Sequence, residues 1–233
     1  MGLVKGLTDI QDVFDKDEAE FQERKAAAER PKAKWFGIND KESVLVAFLQ
    51  EFNTDSDNFS QKNGQLALAI EHVHPDQDKW KIKAQCSMAD EGVCYGEDQK
   101  WKRKLRLYVN VLVDNGVDEP YVAILSQSKS SNHITDALME HARAFETITD
   151  KWFKIKRSGA KFNDTSYTLT ALKEHGLDVE AYELYDLKNY VAPEIPYSEQ
   201  EEFYTRLDDK PSGLEEFAKK KAEVSSESVN NEW

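Results

Sequence analysis

The 233-residue chain contains 11 Phe, 9 Tyr and 5 Trp and carries a formal net charge of −13. This aromatic content excludes a wholly disordered chain, no apolar run approaches the roughly 20 residues that span a bilayer, and two cysteines do not make a disulfide scaffold. Acidic residues follow Lys5 closely and no long apolar stretch accompanies them, so no signal peptide is predicted. We therefore expect a cytoplasmic protein with a buried core and no contact with a membrane.

The charge is unevenly distributed along the chain. Residues 1–30 hold eight acids and five bases, and residues 174–233 hold sixteen acids and six bases, which leaves residues 31–173 neutral. Within that neutral part, residues 79–108 contain eight bases against four acids, and residues 151–161 contain five bases and no acid. Two basic strips with interspersed aromatics favour a polyanionic partner, which the net charge alone would argue against.

Residues 1–30 are predicted to form an N-terminal helical arm, which Thr8 or Asp9 caps and Pro31 ends. Its narrow apolar stripe fits an arm that packs on its own domain and also one that reaches a neighbouring molecule. The sequence leaves both alternatives open.

Residues 31–173 have the pattern of a mainly β domain. Short apolar or alternating stretches separated by polar turns predict strands, and one amphipathic stretch predicts a helix. Short strands of mixed face, with one helix before the last pair, favour a small closed barrel over a two-sheet sandwich. The absence of a βαβ unit argues against a doubly wound nucleotide-binding fold. The predicted strands are 43–52, 65–73, 79–86, 103–113, 120–128, 150–157 and 166–172, and the predicted helix is 132–145.

The central stretch Trp101–Asp114 alternates from Leu105 onward, as a half-buried strand does. One side is predicted to face the core and the other to face solvent. Cations for phosphates and an aromatic ring for stacking on one exposed strip indicate single-stranded nucleic acid. The predicted core residues are Leu105, Leu107, Val109 and Val111, and the predicted exposed strip is Lys104, Arg106, Tyr108 and Asn110.

The same argument extends to both basic strips. Lysines on neighbouring strands would contact phosphates and tryptophans would stack on bases, although simple solvation is the alternative for any one lysine. No phosphate-binding glycine loop and no hydrolase motif occurs, so we expect binding without catalysis. The candidate nucleic-acid-binding residues are Lys81, Lys83, Trp101, Lys102, Lys104, Arg106, Tyr108, Asn110, Trp152, Lys154 and Lys156.

One set of residues has spacing that a metal could use: His72 or His74 with Cys86, Cys94 and Glu97. A structural zinc site usually includes a tight pair of thiolates, or a thiolate and a histidine. Here the tight pair would be Cys94 and Glu97, and a carboxylate is a poorer structural ligand than a thiolate. The sequence therefore favours two ordinary cysteines beside a loop, with no metal and no other cofactor, and zinc is the alternative.

The C-terminal quarter is strongly acidic. Residues 174–207 are predicted to form an acidic helical extension, and residues 208–233, rich in Lys, Glu and Ser, a disordered acidic tail.

The basic strip KRKLRLYVNVLV (102–113) resembles the core of phage-encoded single-stranded DNA-binding proteins of the T-even helix-destabilising type. Those proteins carry a basic cluster followed by an aromatic, a small residue, Asn and an apolar run. An upstream apolar strand, a His eight residues before a Trp, and a cysteine loop occur here in the same order. The stretch DKWFKIKRSGAKFNDTSYTLTAL (150–172) and an acidic tail follow. The resemblance covers residues 43–172 and implies an OB-fold-like small β-barrel for residues 31–173.

The resemblance also implies a function: sequence-independent binding and protection of single-stranded DNA in phage DNA replication, recombination or repair, in the host cytoplasm. Replication or recombination proteins would be partners of the acidic C-terminus. Glu97 stands where the family has its last zinc-binding cysteine, which argues against carrying over the metal. Leu105-Arg106 replaces a hydroxyl pair, which argues against carrying over cooperative self-association and leaves the oligomeric state open.

Two other classes of function remain open from the sequence. One is an acidic interaction scaffold whose working surface is the C-terminal region. The other is an enzyme whose catalytic residues assemble across the chain without a motif. Salt-dependent binding of a labelled oligonucleotide separates the DNA-binding function from both.

The acidic tail gives the first testable prediction. A tethered polyanion competes with DNA at an effective concentration on the order of mM, and charge screening beyond about 8 Å weakens this competition at physiological salt. Removal of residues 208–233 should therefore tighten single-stranded DNA binding at low salt, with a smaller gain at high salt. Oligonucleotide affinities of full-length and truncated protein across a salt series measure this effect. Weaker binding after truncation would contradict the prediction and assign a DNA contact to Lys219-Lys220-Lys221.

Overall fold

A computed structural model describes Glu18 and residues 32–76, 82–130, 132–160 and 164–205. The rest of the predicted N-terminal arm lies outside these residues, as do Lys81 and the predicted tail 208–233.

The described chain is mainly β, as predicted, and its strands form one antiparallel sheet. Each predicted strand is present, with shifted ends. The strands are β1 (Ser43–Phe48), β2 (Ala67–Val73), β3 (Lys83–Gln85), β4 (Arg103–Asp114), β5 (Tyr121–Ser128), β6 (Lys151–Ser158) and β7 (Ser166–Glu174). The α-helices are α1 (Met88–Glu91), α2 (Tyr95–Asp98), α3 (Thr135–Phe145) and α4 (Tyr197–Thr205).

Strand β4 is the centre of the sheet. One edge of β4 pairs with β2 in its first part and with β1 in its last part, while the other edge pairs with β5. The sheet continues from β1 to β6 and β7, and from β2 to β3. Because both edges of β4 are paired, β4 lies in the interior of the sheet.

The sheet is not closed, which differs from the closed barrel expected from the sequence. In the described ranges, β3, β5 and β7 are not paired with one another. The free edge of β5 is instead occupied by residues 34–36: Phe36 N–H donates to Ile124 O (2.9 Å) and Ile124 N–H donates to Lys34 O (2.8 Å). These two bonds use the backbone groups with which another strand would pair.

One face of the sheet, the inner face, encloses the main core. Val109 and Val111 of β4 pack there with Phe153 of β6 and with Leu138 of α3. Helix α3 buries Ile134, at its start, and Leu138. Phe145, the last residue of the helix, is 57% exposed.

The opposite face, the outer face, is covered by residues 177–191, here called the covering segment. Its apolar side chains pack on Ala69, Tyr108 and Ile124 at one end and on Ala47 and Leu112 at the other. The predicted helix is not formed here: residues 179–181 and 187–189 are single 3₁₀ turns, N-capped by Asp178 and Asp186. Among residues 174–205, the described part of the predicted extension, Tyr197–Thr205 alone is α-helical. Packing an extended segment across a sheet outweighs its helical propensity.

Among the helices of the described ranges, none combines the length and the apolar character needed to cross a bilayer.

The burial of Tyr108 yields a stability prediction. The sequence placed this side chain at the surface, but it is 0% exposed and lies under Leu187. Tyr108→Ala should therefore lower the free energy of unfolding by about 3–5 kcal/mol, as truncation of a large buried aromatic does. Urea denaturation measures the loss. Tyr197→Ala, at a tyrosine that is 38% exposed, is the control and should cost about 1 kcal/mol or less; equal losses would contradict the assignment.

Candidate nucleic-acid interface and metal centre

The side chains of β4 alternate between the two faces of the sheet, as predicted, but neither face of the strand is exposed to solvent along its whole length. Arg103 and Lys104 are exposed, whereas every residue from Leu107 to Val113 is buried. Tyr108 and Asn110, both expected on the exposed strip, are 0% exposed. The reason is tertiary: the covering segment packs on the side of β4 that the alternation assigned to solvent.

Two of the predicted phosphate-binding cations are bound inside the protein. The carboxylate of Glu71, which is 0% exposed, accepts a hydrogen bond from the Tyr108 hydroxyl. It also forms ion pairs with Arg106 Nε (3.1 Å) and Lys83 Nζ (3.3 Å). Burial raises the pKa of the Tyr108 phenol, with a further contribution from the Glu71 carboxylate. Burial also lowers the pKa of Lys83, which Glu71 partly opposes. A buried carboxylate needs these partners, so Lys83 and Arg106 stabilise β2, β3 and β4.

Asn110 also has a structural role. Its side-chain Nδ2 donates to Tyr185 O (2.9 Å) and its Oδ1 accepts from Tyr185 N–H (3.1 Å). Nδ2 also donates to Gln50 Oε1 (3.0 Å). The amide therefore acts like a strand neighbour for the backbone of the covering segment and anchors that segment to the sheet.

The predicted tryptophans are packed rather than open. Trp101 contacts the rings of Tyr204 and Tyr95 at centroid distances of 4.7 and 5.7 Å. Trp152 packs with Leu112 and with residues of the covering segment. Among the predicted lysines, Lys102, Lys104, Lys154 and Lys156 are exposed.

An open groove of about 450 Å³ lies where β2, β4 and β5 end together. Its apolar lining is Ile70 and Leu105, which are paired across β2 and β4. Ile70 is 39% exposed, and Leu68 next to it on the same face of β2 is 46% exposed. The side chains that line the groove are Ile70, Arg103, Lys104, Leu105, Ser128, Lys129 and Ser130.

The groove combines three cations with an apolar surface, and the lining residues that the structure describes include no acid, although Glu97 pairs with Arg103 from outside the lining (3.0 Å). Sequence reasoning identified Lys104 but missed Ile70, Arg103 and Lys129. Arg103 was missed because it precedes Leu105, where the alternation begins, so the pattern assigned it to neither side. Lys129 was missed because it lies just beyond β5, and only the β4–β5 register brings its backbone N–H to Leu105 O (2.8 Å).

A candidate metal centre lies beside the groove. A ring nitrogen of His72 and the Sγ atoms of Cys86 and Cys94 all lie within 4.8 Å of one another. Glu97 Oε1 is 4.0 Å from Cys86 Sγ and 3.5 Å from His72 Nε2. The sequence left His72 and His74 as alternatives, and the structure selects His72, which follows Glu71 on β2.

The surroundings of His72 fit a metal ligand. The side chain is fully buried, yet neither ring nitrogen has a hydrogen-bond partner in the described part of the chain. Burial lowers the pKa of His72, which favours the neutral imidazole that binds metals. The backbone of Gly96 presses on the ring so closely that a Cβ there would lie 2.3 Å from His72 Cγ. Glycine at this position therefore lets the cysteine loop close on the histidine.

The donor set suits zinc: one imidazole and two thiols, with Glu97 as a fourth oxygen donor or as a partner of the ligands. Burial raises the pKa of the Cys86 thiol, so a thiolate would need a cation to stabilise it. Zinc bonds of about 2.0–2.3 Å place tetrahedral donors within about 4 Å of one another. A bound ion would hold the loop 86–97 to strand β2.

Comparison with known proteins identifies no relative: no family model, curated protein or solved structure matches the chain.

The convergence of these donors replaces the sequence-based expectation of no metal with a different prediction. Protein purified without added metal should contain about one zinc ion per chain, and chelation should lower its melting temperature. His72→Ala and Cys94→Ser should lose the zinc. His74→Ala is the control and should retain it, because His74 Nδ1 accepts from Asp76 N–H (3.1 Å) outside the cluster. Elemental analysis that finds no zinc in the unmodified protein would restore the original expectation.

Proposed function

We propose that this protein binds single-stranded DNA without sequence specificity, by backbone electrostatics and contact with the bases. The observation that carries the proposal is the groove at the ends of β2, β4 and β5. Its exposed apolar floor is bordered by Arg103, Lys104 and Lys129. Apolar and cationic groups together match a polyanion whose bases are accessible.

A single strand fits this groove better than a duplex does. A duplex presents phosphates but keeps the faces of its bases stacked, so the apolar pair Ile70 and Leu105 would have no partner. Contact with base faces tolerates any base, which supports sequence-independent binding. Binding without turnover follows, with protection of exposed strands in phage DNA replication, recombination or repair in the host cytoplasm.

The topology supports an open relative of the OB-fold. A long central strand shares one edge between two strands and pairs with a third on the other edge. Helix α3 lies between β5 and β6, before the last two strands, and packs against the inner face. The motif order over residues 43–172 supports the same assignment.

The sequence-based binding set changes accordingly. Lys102, Lys104, Lys154 and Lys156 are exposed and remain proposed phosphate contacts. Tyr108 and Asn110 are replaced by the groove residues, because a strand of DNA reaches neither without displacing the covering segment.

An acidic interaction scaffold is the alternative function, and one observation favours it. Residues 174–205 contain nine acids and one lysine, and eight of the nine acids are exposed. A basic segment of a replication or recombination protein is the partner that this charge would attract. Absence of DNA binding by the full chain would favour this alternative.

The groove predicts a specific salt dependence. Lys104→Gln and Lys129→Gln should each weaken binding of a fluorescein-labelled oligothymidylate and reduce the log–log salt slope by about one. Fluorescence anisotropy across a salt series measures both effects. Lys173→Gln is the matched control, because this exposed lysine lies on β7, away from the groove lining. Slopes that change equally in all three variants would show that the groove has no special role.

A further inference from the structure

Trp35 is an exposed aromatic side chain that the sequence did not single out. It is 50% exposed, although tryptophan has the largest apolar area to bury. Its position is at the edge of the sheet, where residues 34–36 run parallel to β5.

The backbone at Trp35 is firmly held. The flanking residues exchange two hydrogen bonds with Ile124, from Phe36 N–H (2.9 Å) and to Lys34 O (2.8 Å). The Lys34 N–H also donates to the Tyr185 hydroxyl (3.3 Å). A half-exposed ring on an anchored backbone offers a preformed contact surface at a low entropic cost.

Aromatic and cationic groups surround the ring. Trp35 makes an edge contact with Tyr190 (centroids 6.0 Å apart, planes at 87°), and Tyr190 makes a similar contact with Tyr185. This geometry directs an edge at the indole and leaves part of its area open. Lys34 precedes Trp35 and Lys188 lies between Tyr185 and Tyr190 in the sequence, and both lysines are exposed. Asp186 lies in the same turn, but its carboxylate accepts from Lys188 N–H (3.1 Å) and Asn189 Nδ2 (3.0 Å).

Trp35 and the groove are both adjacent to strand β5. It bridges Ile124, and Ser128 of the groove lining follows four residues later on the same face of β5. At about 3.3 Å per residue, the backbone separation is about 13 Å. Ser126 lies between them, and its hydroxyl accepts from Arg106 Nη1 (3.3 Å). Ser126 and Ser128 are partly exposed beside the covering segment, which packs on Ile124, Tyr108 and Ala69. The surface that connects Trp35 with the groove is therefore the polar edge of β5.

We propose that Trp35 stacks on a base of the single-stranded DNA and extends the binding surface along β5 from the groove. This inference rests on the proposed function. It assigns base stacking to a residue outside the basic strips, where the buried Tyr108 and the packed Trp101 and Trp152 do not supply it.

The experiment compares Trp35→Ala, Trp35→Phe and Phe145→Ala in the full chain, with oligothymidylate as the probe. Loss of one stacked base should weaken binding at least about fivefold in Trp35→Ala, with an unchanged salt slope because no charge is removed. Trp35→Phe keeps an aromatic ring and should lose less than about threefold. Phe145→Ala is the matched control: Phe145 is 57% exposed but lies on α3, and its removal should leave affinity unchanged.

Intrinsic fluorescence gives a second readout that does not depend on the stability of Trp35→Ala. DNA should quench the tryptophan emission of the unmodified protein, and Trp35→Phe should lose a distinct part of that quenching. Wild-type affinity in Trp35→Ala, or unchanged quenching in Trp35→Phe, would overturn the stacking role. If Lys129→Gln still weakens binding in that case, the proposed function stands without Trp35. Absence of DNA binding by the unmodified protein would instead overturn the proposed function.

Discussion

The structure depends on the burial of β4 on both faces and along both edges. Leu107–Val113 is buried throughout, and it contains the polar side chains of Tyr108 and Asn110. Buried polar groups cost free energy unless they are hydrogen-bonded. The Glu71 carboxylate accepts a hydrogen bond from Tyr108, and the backbone of Tyr185 forms two hydrogen bonds with the side chain of Asn110. The covering segment is therefore required by the polar residues of the central strand and belongs to the same core as the sheet.

Because of this constraint, the exposed acids of the covering segment and the exposed cations of the groove lie in different parts of the fold. The covering segment lies over the outer face, where its apolar residues face the sheet and the acids among residues 178–186 are exposed. Exposed positive charge remains at the start of β4 and just beyond β5, in Lys104 and Lys129, while Arg103 beside them is exposed but paired with Glu97 (3.0 Å). Function at the margin of a rigid sheet is common, because strand ends and loops expose side chains that the core cannot use. In this protein the groove lies where β2 and β5 end and β4 begins.

The cysteine loop and the groove share structural elements. Ile70 of the groove and His72 of the cluster lie on the same face of β2, two residues apart. Glu97 of α2 connects the two features, since its Oε1 is 3.0 Å from Arg103 Nε and 3.5 Å from His72 Nε2. The position of a groove cation therefore depends on the loop that carries the two thiols. A metal that orders this loop would stabilise one wall of the groove without being part of its lining.

The sequence by itself determined the mainly β class and the approximate positions of the described strands and of α3, because these follow from local periodicity. It also indicated the cysteine loop as a possible ligand set, but it left His72 and His74 as alternatives and favoured no metal. Only the tertiary structure decided which faces are exposed. Alternation shows that Tyr108 and Leu107 lie on opposite sides of β4, but it does not show that a segment more than seventy residues later covers one of them. The same limit applies to ion pairing, because Arg106 and Lys83 look like surface cations until the fold places Glu71 between them. It applies equally to the groove and to Trp35, whose neighbours come from distant parts of the chain: long-range packing sets exposure, and exposure decides which side chains are available for binding.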